Sequence, residues 1–322
     1  MRIVLLAGGV GGARFTRGLL DHLVASGTAA DVTVVANTGD DIWMNGLRLC
    51  PDLDTMMYTL GGGIHEEQGW GRADESRRVA DELDAYGVGV AWFTLGDLDL
   101  ATHIARTQLL REGNSLSAAT ARLCARWKPG VRLLPMSDEP VETHVRLAGS
   151  DQLMHFEEWW VRLRATVPAQ EFVQSGVEDA SPAPGVLDAI RDADVVVLPP
   201  SNPVVSIGTI LGVPGIRDAV RETSGRVVGV SPIIGGAAVR GMAAACLTTI
   251  GVATSADAVA VHYGPRSRGG LLDAWLVDET DAVLVPGLAA DGIPCRAVPL
   301  WLRDTASSAR LAADALAMAE RD

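Results

Sequence analysis

The chain has 322 residues, of which 48% are hydrophobic and 21% are charged, and its formal net charge is −13. This length and composition predict an ordinary globular protein built as one large α/β unit or as two closely packed ones. The negative charge argues against a nucleic-acid partner, and no apolar run is long enough to suggest a membrane span.

Short β-branched apolar runs alternate along the chain with segments whose apolar residues recur at helical spacing. The apolar runs predict strands at 3–7, 32–36, 91–95, 195–198 and 227–230. The helical spacing predicts helices at 13–25, 76–86, 115–127 and 305–319. Such alternation is typical of a parallel sheet covered by helices, so we expect a doubly wound, Rossmann-like α/β fold. The first run is too short for a secretory signal, and we therefore expect a cytoplasmic protein.

Residues 131–181 break this alternation. They contain short apolar runs at 143–147 and 153–155 and the pair Trp159 and Trp160, with little regular periodicity. We expect this stretch to form an inserted cap or small subdomain. No linker, repeat or low-complexity tract divides the rest, so we expect one structural unit over residues 1–322.

The cysteines and lysines restrict the possible chemistry. The four cysteines are Cys50, Cys124, Cys246 and Cys295. They lie far apart with no C-x-x-C pair, which predicts free structural thiols rather than a zinc site. Lys128 is the only lysine, so phosphate binding would depend on arginine, backbone amides or a metal ion.

A glycine-rich segment, residues 8–12, follows the predicted first strand and precedes a helix. Its glycines are Gly8, Gly9, Gly11 and Gly12. Glycines here let backbone amides approach a phosphate, and the start of a helix adds partial positive charge. A tight turn without a ligand is the alternative. The segment is neither a Walker A loop, since the Lys-Ser/Thr pair is missing, nor a G-x-G-x-x-G motif, since Arg14 occupies the last glycine position.

Carboxylates follow the predicted second strand in the sequences NTGDD and PDLDT. They are Asp40, Asp41, Asp52 and Asp54. Ligands of an open α/β sheet lie outside the carboxyl ends of its strands, which would place these carboxylates beside the glycine segment. A diphosphate could approach them only with an intervening cation, and oxygen ligands suit Mg²⁺. The alternative is helix capping, with Asp52 starting a helix through residue 58, and we expect some of the four to cap and others to bind metal.

Further polar residues follow the other predicted strands. Asp97 comes after the run 91–95, where it could hold a metal or a hydroxyl group, and Asp99 suits the N-cap of a helix that contains His103. A lone helical histidine is more often a packed residue than a catalytic base. The remaining strand-end residues are Asn37, Ser201, Asn202, Ser231 and Gly235. Together these strand ends predict a single crevice along one edge of the sheet.

Seven motifs in order carry a resemblance to a known family. They are GGVGGARF, NTGDD, CPDLDTMMYTLGGG, TLGDLDLATH, LLPMSDEPVETHV, PPSNPVVSIG and SPIIGG. The set resembles the 2-phospho-L-lactate transferases of deazaflavin coenzyme biosynthesis, and most closely the actinobacterial branch whose donor carries phosphoenolpyruvate. The resemblance runs from residue 8 to about residue 240 and more weakly to the C-terminus.

The resemblance implies transfer of an enolpyruvyl or lactyl phosphate group from a guanosine diphosphate-linked donor to a hydroxyl of the deazaflavin Fo. GMP and coenzyme F-420-0, or its dehydro form, would be the products, Mg²⁺ the cofactor and a homodimer the assembly. Asp54 and Thr94 match the family's Fo-contact positions, and Fo binding is assigned to Asp54, Thr94 and Asp97. Many relatives have a basic residue between the aspartates of the GD-x-D motif, where this chain has Leu98.

Combining the resemblance with the residues gives a set of expected roles. Catalysis is assigned to Asp40 and Asp54, and metal binding to Asp40, Asp41 and Asp54. Nucleotide binding is assigned to Gly8, Gly9, Gly11, Gly12, Asn37, Ser201, Asn202, Ser231 and Gly235. The mechanism expected is in-line phosphoryl transfer, with the metal neutralising charge and an aspartate accepting the hydroxyl proton.

Two other functions compete with this hypothesis. A non-catalytic nucleotide-sugar-binding regulator similar to gluconeogenesis factors would share the fold and the glycine start, but the series of aspartates weighs against it. An NAD-dependent dehydrogenase would need an acidic residue at the end of the second strand, where Asn37 stands.

Overall fold

A computed structural model describes residues 1–320, and its centre is a seven-stranded parallel sheet. The strands in chain order are β1 (Arg2–Ala7), β2 (Asp31–Ala36), β3 (Ile42–Met44), β4 (Leu47–Leu49), β5 (Arg132–Pro135), β6 (Glu142–Leu147), β7 (Leu153–His155), β8 (Ala169–Ser175), β9 (Val195–Leu198), β10 (Arg226–Val230), β11 (Ile233–Ile234), β12 (Ala237–Ala238), β13 (Ala274–Val277) and β14 (Cys295–Ala297). The strand order of the main sheet is β14-β13-β10-β9-β1-β2-β5.

Helices cover the main sheet on both faces. They are α1 (Gly9–Ser26), α2 (Pro51–Leu60), α3 (Arg78–Ala85), α4 (Asp97–Arg111), α5 (Leu116–Trp127), α6 (Val186–Arg191), α7 (Ile207–Gly212), α8 (Ile216–Glu222), α9 (Ala243–Thr249), α10 (Ala256–Tyr263), α11 (Val285–Ala290) and α12 (Thr305–Ala319).

Alternate residues of β1 belong to two hydrophobic cores, because successive side chains of a strand point to opposite faces. Ile3 and Leu5 pack with α1, α2 and α12, whereas Val4 and Leu6 pack with the helices that follow β9 and β10.

The strand order makes the fold doubly wound. From β1 the chain builds β2 and β5 on one side and then returns to build β9, β10, β13 and β14 on the other. Leu5 of β1 lies opposite Val34 of β2 and Val197 of β9, so β1 and β9 are neighbours at the point where the direction reverses. This confirms the predicted Rossmann-like class, and ligands of such sheets bind outside the carboxyl ends of the strands at this reversal.

Four of the five predicted strands are confirmed, and one is wrong. Residues 91–95 form turns and irregular chain instead of a strand. The place beside β2 is taken by β5, with Val34 opposite Leu133, and this leaves no position next to β2 for the run 91–95. The predicted helices are all present, but α1 begins at Gly9 rather than at residue 13, which puts most of the glycine segment inside the helix.

A second, antiparallel sheet of order β7-β6-β8 lies within the predicted insertion at 131–181. It has its own small core, in which Trp159 is fully buried against Phe156 and Phe172 and donates from Nε1 to the Val167 carbonyl at 2.8 Å. The first strand of that range, β5, belongs to the main sheet. The division of the chain at 131–181 therefore stays a prediction.

The cysteines are free thiols, as predicted. Cys50 and Cys246 are buried and the other two are half-buried, and burial raises the pKa of Cys246 to about 12. Within residues 1–320, no helix has the length and apolar character that crossing a bilayer would demand.

Candidate active site

A cavity of about 540 Å³ opens where β1 and β9 end, at the reversal of the sheet. The predicted site residues in its lining are Gly8, Gly9, Gly11, Asp40, Ser201, Asn202 and Ser231. A larger cleft of about 1040 Å³ lies at the amino ends of β1, β2 and β5, and none of the predicted site residues line it. We therefore take the smaller cavity, called the switch-point cavity below, as the candidate active site.

The glycine segment forms the first turn of α1 rather than a free loop. Gly8 is the N-cap, and its amide donates to Ser201 Oγ at 3.1 Å while Ser201 Oγ donates to the Gly8 carbonyl at 2.7 Å. A Cβ at Gly11 would meet the carbonyl oxygen of Pro200, and a Cβ at Gly12 would lie 2.8 Å from Ser201 Oγ. The glycines thus have a packing role, which is to let α1 start against the turn that follows β9.

The start of α1 nevertheless offers amides to the cavity. The amide of Gly9 is taken by the Asp52 carboxylate at 2.7 Å. The following amides of the first turn, those of Val10 and Gly11, have no acceptor within the helix. Both residues line the switch-point cavity, and unpaired amides at a helix start favour phosphate.

Asp52 connects the first and second strands. Its carboxylate accepts from the Gly9 amide and, at 2.9 Å, from Nδ2 of Asn37, whose Oδ1 accepts from the Gly39 amide. The interpretation of Asp52 as a cap of its own helix is wrong, because it stabilises the start of α1 instead, while Cys50 occupies the N-cap of α2. Burial raises the pKa of Asp52 to about 6.

Asp40 is the carboxylate with a predicted metal-binding role that lines the cavity. It is 7% exposed, and its Oδ1 is buried without a hydrogen-bond partner. Burial, followed by the charges of Asp52 and Glu157, raises its pKa well above the ordinary value. We call Asp40, Asp52 and Glu157 the acidic wall. A buried, unpaired oxygen among like charges needs a proton or a cation.

The sequence pattern did not predict Glu157 as a site residue. This residue precedes the Trp159 and Trp160 pair in the second sheet's core, is 8% exposed, and lines the cavity. Burial and the charge of Asp52 raise its pKa to about 8. The only signal was a glutamate beside a tryptophan pair in a stretch of irregular periodicity, and nothing in its spacing connects it to the aspartates.

Asp41 and Asp54 lie outside the cavity lining. Asp41 is fully buried, forms an ion pair with Arg48 at 3.4 Å, and has a pKa raised by burial to about 7. Asp54 accepts from both terminal nitrogens of Arg106, which is 1% exposed. The structure does not bring Asp40, Asp41 and Asp54 within reach of one ion.

One group of side chains in residues 1–320 has the spacing of a metal site, namely Asp54, Asp99 and His103. Asp99 accepts from the Tyr58 hydroxyl at 2.7 Å and lies 3.4 Å from His103 Nε2, so its expected N-cap role is wrong, since Gly96 caps α4. Arg106 lies 3.3 Å from His103 Nδ1 and already neutralises Asp54. A divalent cation there would meet a buried guanidinium, so this donor set does not suit Mg²⁺.

Thr94 and Asp97 hold the chain around the start of α4. Thr94 Oγ1 accepts from Arg77 at 3.1 Å, and the Asp97 carboxylate accepts from the amide and hydroxyl of Ser76 at 2.9 and 2.7 Å. Neither lines the cavity, so their Fo contacts stay predictions. A cation is present beside Leu98, because Arg72 donates to the Leu98 carbonyl at 2.9 Å.

Some of the predicted residues that follow β9 and β10 line the cavity, and one of them does not. Asn202 lines the cavity and accepts through Oδ1 from the amides of Val204 and Val205 at 2.9 and 3.2 Å. Ser231 lines it as well, whereas the Gly235 amide is directed to Asp281 at 2.9 Å. Aromatic and cationic residues that sequence reasoning did not assign complete the lining: Trp70, Phe156, Trp160, Trp301, Arg14, Arg240 and Arg303.

Comparison with known proteins gives a family and several relatives. The family described as 2-phospho-L-lactate transferase CofD matches residues 3–286. A protein named phosphoenolpyruvate transferase from Streptomyces griseus is 61% identical over 322 residues, which cover 99% of each chain. Proteins of the same name from Thermobifida fusca and Mycobacterium sp. strain JLS are 61% and 53% identical, covering 99% and 97% of this chain and 98% and 96% of theirs.

Among solved structures, protein BH3568 from Bacillus halodurans superposes with a TM-score of 0.62 at 18% identity. The superposition covers 98% of this chain and 99% of that one. At this identity the likeness shows a shared fold alone.

Proposed function

The chain belongs to the 2-phospho-L-lactate transferase CofD family, and we propose that it transfers a phosphoenolpyruvyl group to the deazaflavin Fo. The donor in this proposal is linked to guanosine diphosphate, the acceptor is the ribityl hydroxyl of Fo, and GMP is released. The product is dehydro coenzyme F-420-0, or coenzyme F-420-0 if the transferred group is 2-phospho-L-lactyl. Family membership carries the coarser statement that the chain is a transferase of coenzyme F-420 biosynthesis, and the names of its relatives favour the enolpyruvyl group.

The observation that carries the proposal is that two complementary features line one cavity. The start of α1 presents the amides of Val10 and Gly11, which suit a phosphate. The acidic wall includes Asp40, whose buried Oδ1 has no hydrogen-bond partner and therefore suits a proton or a cation. A diphosphate with a divalent cation satisfies both features at once.

We place Mg²⁺ at Asp40. The donor set fits the ion, because Mg²⁺ prefers one or two carboxylates together with substrate phosphate oxygens. Asp52 already accepts two hydrogen bonds, so Asp40 and Glu157 are the members of the acidic wall with more capacity to bind a cation. When bound, Mg²⁺ would neutralise charge on the diphosphate and on the leaving phosphate.

The chain's own groups then have separate tasks in the transfer. The hydroxyl oxygen of Fo forms a bond to the phosphorus that bears the enolpyruvyl group, and the bond from that phosphorus to the oxygen of the GMP phosphate breaks. The amides at the start of α1 hold the GMP phosphate. Glu157, whose pKa is raised to about 8 by burial and the charge of Asp52, can accept the hydroxyl proton in its deprotonated form, so turnover should rise toward pH 8. Phe156 and Trp160 exclude water from this side of the cavity.

The test is incubation of the purified protein with Fo, Mg²⁺ and equal amounts of the enolpyruvyl and lactyl donors, read by mass spectrometry. We expect Fo to gain the phosphoenolpyruvyl mass in preference to the phospholactyl mass, with one GMP released per product. Asp40→Asn should lower turnover at least ~100-fold, and raised Mg²⁺ should restore part of it.

The matched control is Asp138→Asn, which removes a charge at the start of α5, where Asp138 accepts from Ser117. It should leave turnover within about twofold of wild type, because Asp138 does not line the switch-point cavity. Unmodified Fo with wild-type protein would rule out the proposed reaction. A preference for the lactyl donor would rule out the enolpyruvyl assignment alone.

A further inference from the structure

Two arginines in the lining of the switch-point cavity, Arg14 and Arg240, form no ion pair within residues 1–320. Arg14 lies on the second turn of α1, and Arg240 follows β12. Both line the cavity. Burial and then the charge of Arg14 lower the pKa of Arg240, so the guanidinium of Arg14 lies near that of Arg240. A pair of like charges is unfavourable unless an anion joins them.

The partners of both arginines are backbone carbonyls. Arg14 donates to the carbonyl of Glu66 at 3.1 Å, and Arg240 donates to the carbonyl of Gln68. The Glu66 carboxylate is held mainly by Arg17, at 2.6 and 3.3 Å. Among residues 1–320, neither Arg14 nor Arg240 forms an ion pair, so most of their donors are available to a ligand.

The third guanidinium in the lining belongs to Arg303, which helps to lower the pKa of Asp278, as Arg14 helps to lower the pKa of Glu66. Arg14 and Arg240 differ from Arg303 because they lie near each other and both donate to backbone carbonyls of one short segment, residues 66–68. The acidic wall belongs to the same cavity, which gives it separate regions for a cation and for an anion.

We propose that Arg14 and Arg240 form a clamp for the carboxylate of the group being transferred. The amides of Val10 and Gly11 are available for a phosphate, and Arg14 lies four residues after Val10, about 6 Å along the helix axis. That offset suits a second oxyanion next to the first. Guanidinium forks match a carboxylate bidentately, and the charge-assisted bonds to a carboxylate are stronger than those to the neutral acceptors of a guanine base. The assignment rests on the proposed function, which supplies a donor with both oxyanions.

Isothermal titration of small anions into the full chain tests the clamp. The probes are phosphoenolpyruvate, glycerol 2-phosphate, which has a phosphate ester but no carboxylate, and GMP. In Arg14→Gln and Arg240→Gln we expect phosphoenolpyruvate to bind at least tenfold more weakly than to wild type. Glycerol 2-phosphate and GMP should change by less than about threefold, and Arg14→Lys should lie between wild type and Arg14→Gln.

The matched control is Arg17→Gln, which breaks the ion pair to Glu66 but leaves both clamp residues in place. It should bind phosphoenolpyruvate as wild type does. An equal loss in Arg17→Gln would show that the arginines only hold residues 66–68 and would overturn the clamp.

Two other results would also overturn the inference. Unchanged phosphoenolpyruvate affinity in folded clamp variants, checked by circular dichroism, would show that no anion binds there. Equal losses for phosphoenolpyruvate and glycerol 2-phosphate would assign the arginines to the phosphate and not to the carboxylate. Failure of the wild-type protein to modify Fo would instead count against the proposed function and leave these binding results as they stand.

Discussion

Asp54 and Arg106 form a buried ion pair in which both terminal guanidinium nitrogens contact the carboxylate. The pair lies outside the cavity lining, at 4% and 1% exposure, beside His103 and Tyr58. Burial raises the pKa of Asp54, and Arg106 acts against that rise. From the sequence, Asp54 is assigned to metal and Fo binding, which predicts that Asp54→Asn loses activity but keeps its stability. The ion pair with Arg106 predicts instead that Asp54→Asn loses stability.

We expect Asp54→Asn to destabilise the protein by about 3–5 kcal/mol, because it leaves the Arg106 charge buried and unpaired. Urea unfolding measures this loss. The double variant Asp54→Asn with Arg106→Gln removes both charges and should recover part of it. A variant of full stability that no longer modifies Fo would favour the catalytic role instead.

Individual residues show where sequence reasoning reached the site and where it stopped. Asp40, Ser201 and Ser231 could be found because each lies in the turn that follows a strand, and the apolar runs predict those strands. Glu157 and Arg240 could not, since they come from the second sheet and from a turn after β12. Only the folded chain brings those segments to the end of β1.

Helix α1 shows how one element can serve packing and binding together. Its early start at Gly9 brings the first turn against Pro200 and Ser201, and this contact requires glycines. From the sequence alone, a change of Gly11 to a larger residue is expected to block the phosphate without unfolding the protein. The structure adds that a side chain at Gly11 collides with the Pro200 carbonyl.

We therefore predict that Gly11→Ala lowers both stability and nucleotide affinity. The added Cβ should cost about 1–3 kcal/mol, as overpacking of a tight contact does, and should tilt the amides of the first turn. Thermal unfolding and calorimetry with GMP measure the two effects. Gly287→Ala is the control, because a Cβ there meets nothing within 4 Å. Weakened GMP binding at wild-type stability would mean that Gly11 only makes room for phosphate.

The wrong strand at 91–95 illustrates the limit of periodicity. The run Ala-Trp-Phe-Thr-Leu has the composition of a strand, yet a strand also needs a neighbour in the sheet. β5 pairs with β2 at that position, and β5 is a four-residue strand inside the range predicted as an insertion. The strands β1, β2, β9 and β10 could be predicted because they are buried on both faces and read as continuous apolar runs.

The second sheet joins the main sheet in building one site. Phe156, Glu157 and Trp160 of that region line the cavity together with the start of α1 and the turn after β9. The expected cap would therefore complete the cavity instead of merely covering it. The homodimer that the resemblance implies stays a prediction, and sedimentation of the purified protein would test it.

The chain as a whole concentrates buried carboxyl groups around the cavity, and this makes its stability depend on pH. Burial raises the pKa of Asp52 to about 6, of Asp41 to about 7 and of Glu157 to about 8. In the unfolded chain these groups titrate near pH 4. These three groups therefore bind more protons in the folded state between about pH 4 and pH 8, so their contribution to the free energy of unfolding falls as the pH rises, while the lowered pKa values of His155 and His262 act in the opposite direction.

We expect urea unfolding in EDTA to show this fall between pH 5 and pH 8.5, since one pKa unit corresponds to about 1.4 kcal/mol. Glu157→Gln should flatten the slope, because it removes the group with the pKa of about 8. Mg²⁺ should stabilise the protein more at pH 8 than at pH 5, since a cation replaces the protons of the acidic wall. Asp138→Asn, which lies outside the wall, should leave the slope unchanged. Stability that rises with pH across the window would contradict the raised pKa values, and an equal Mg²⁺ effect at both pH values would remove the acidic wall as the metal site.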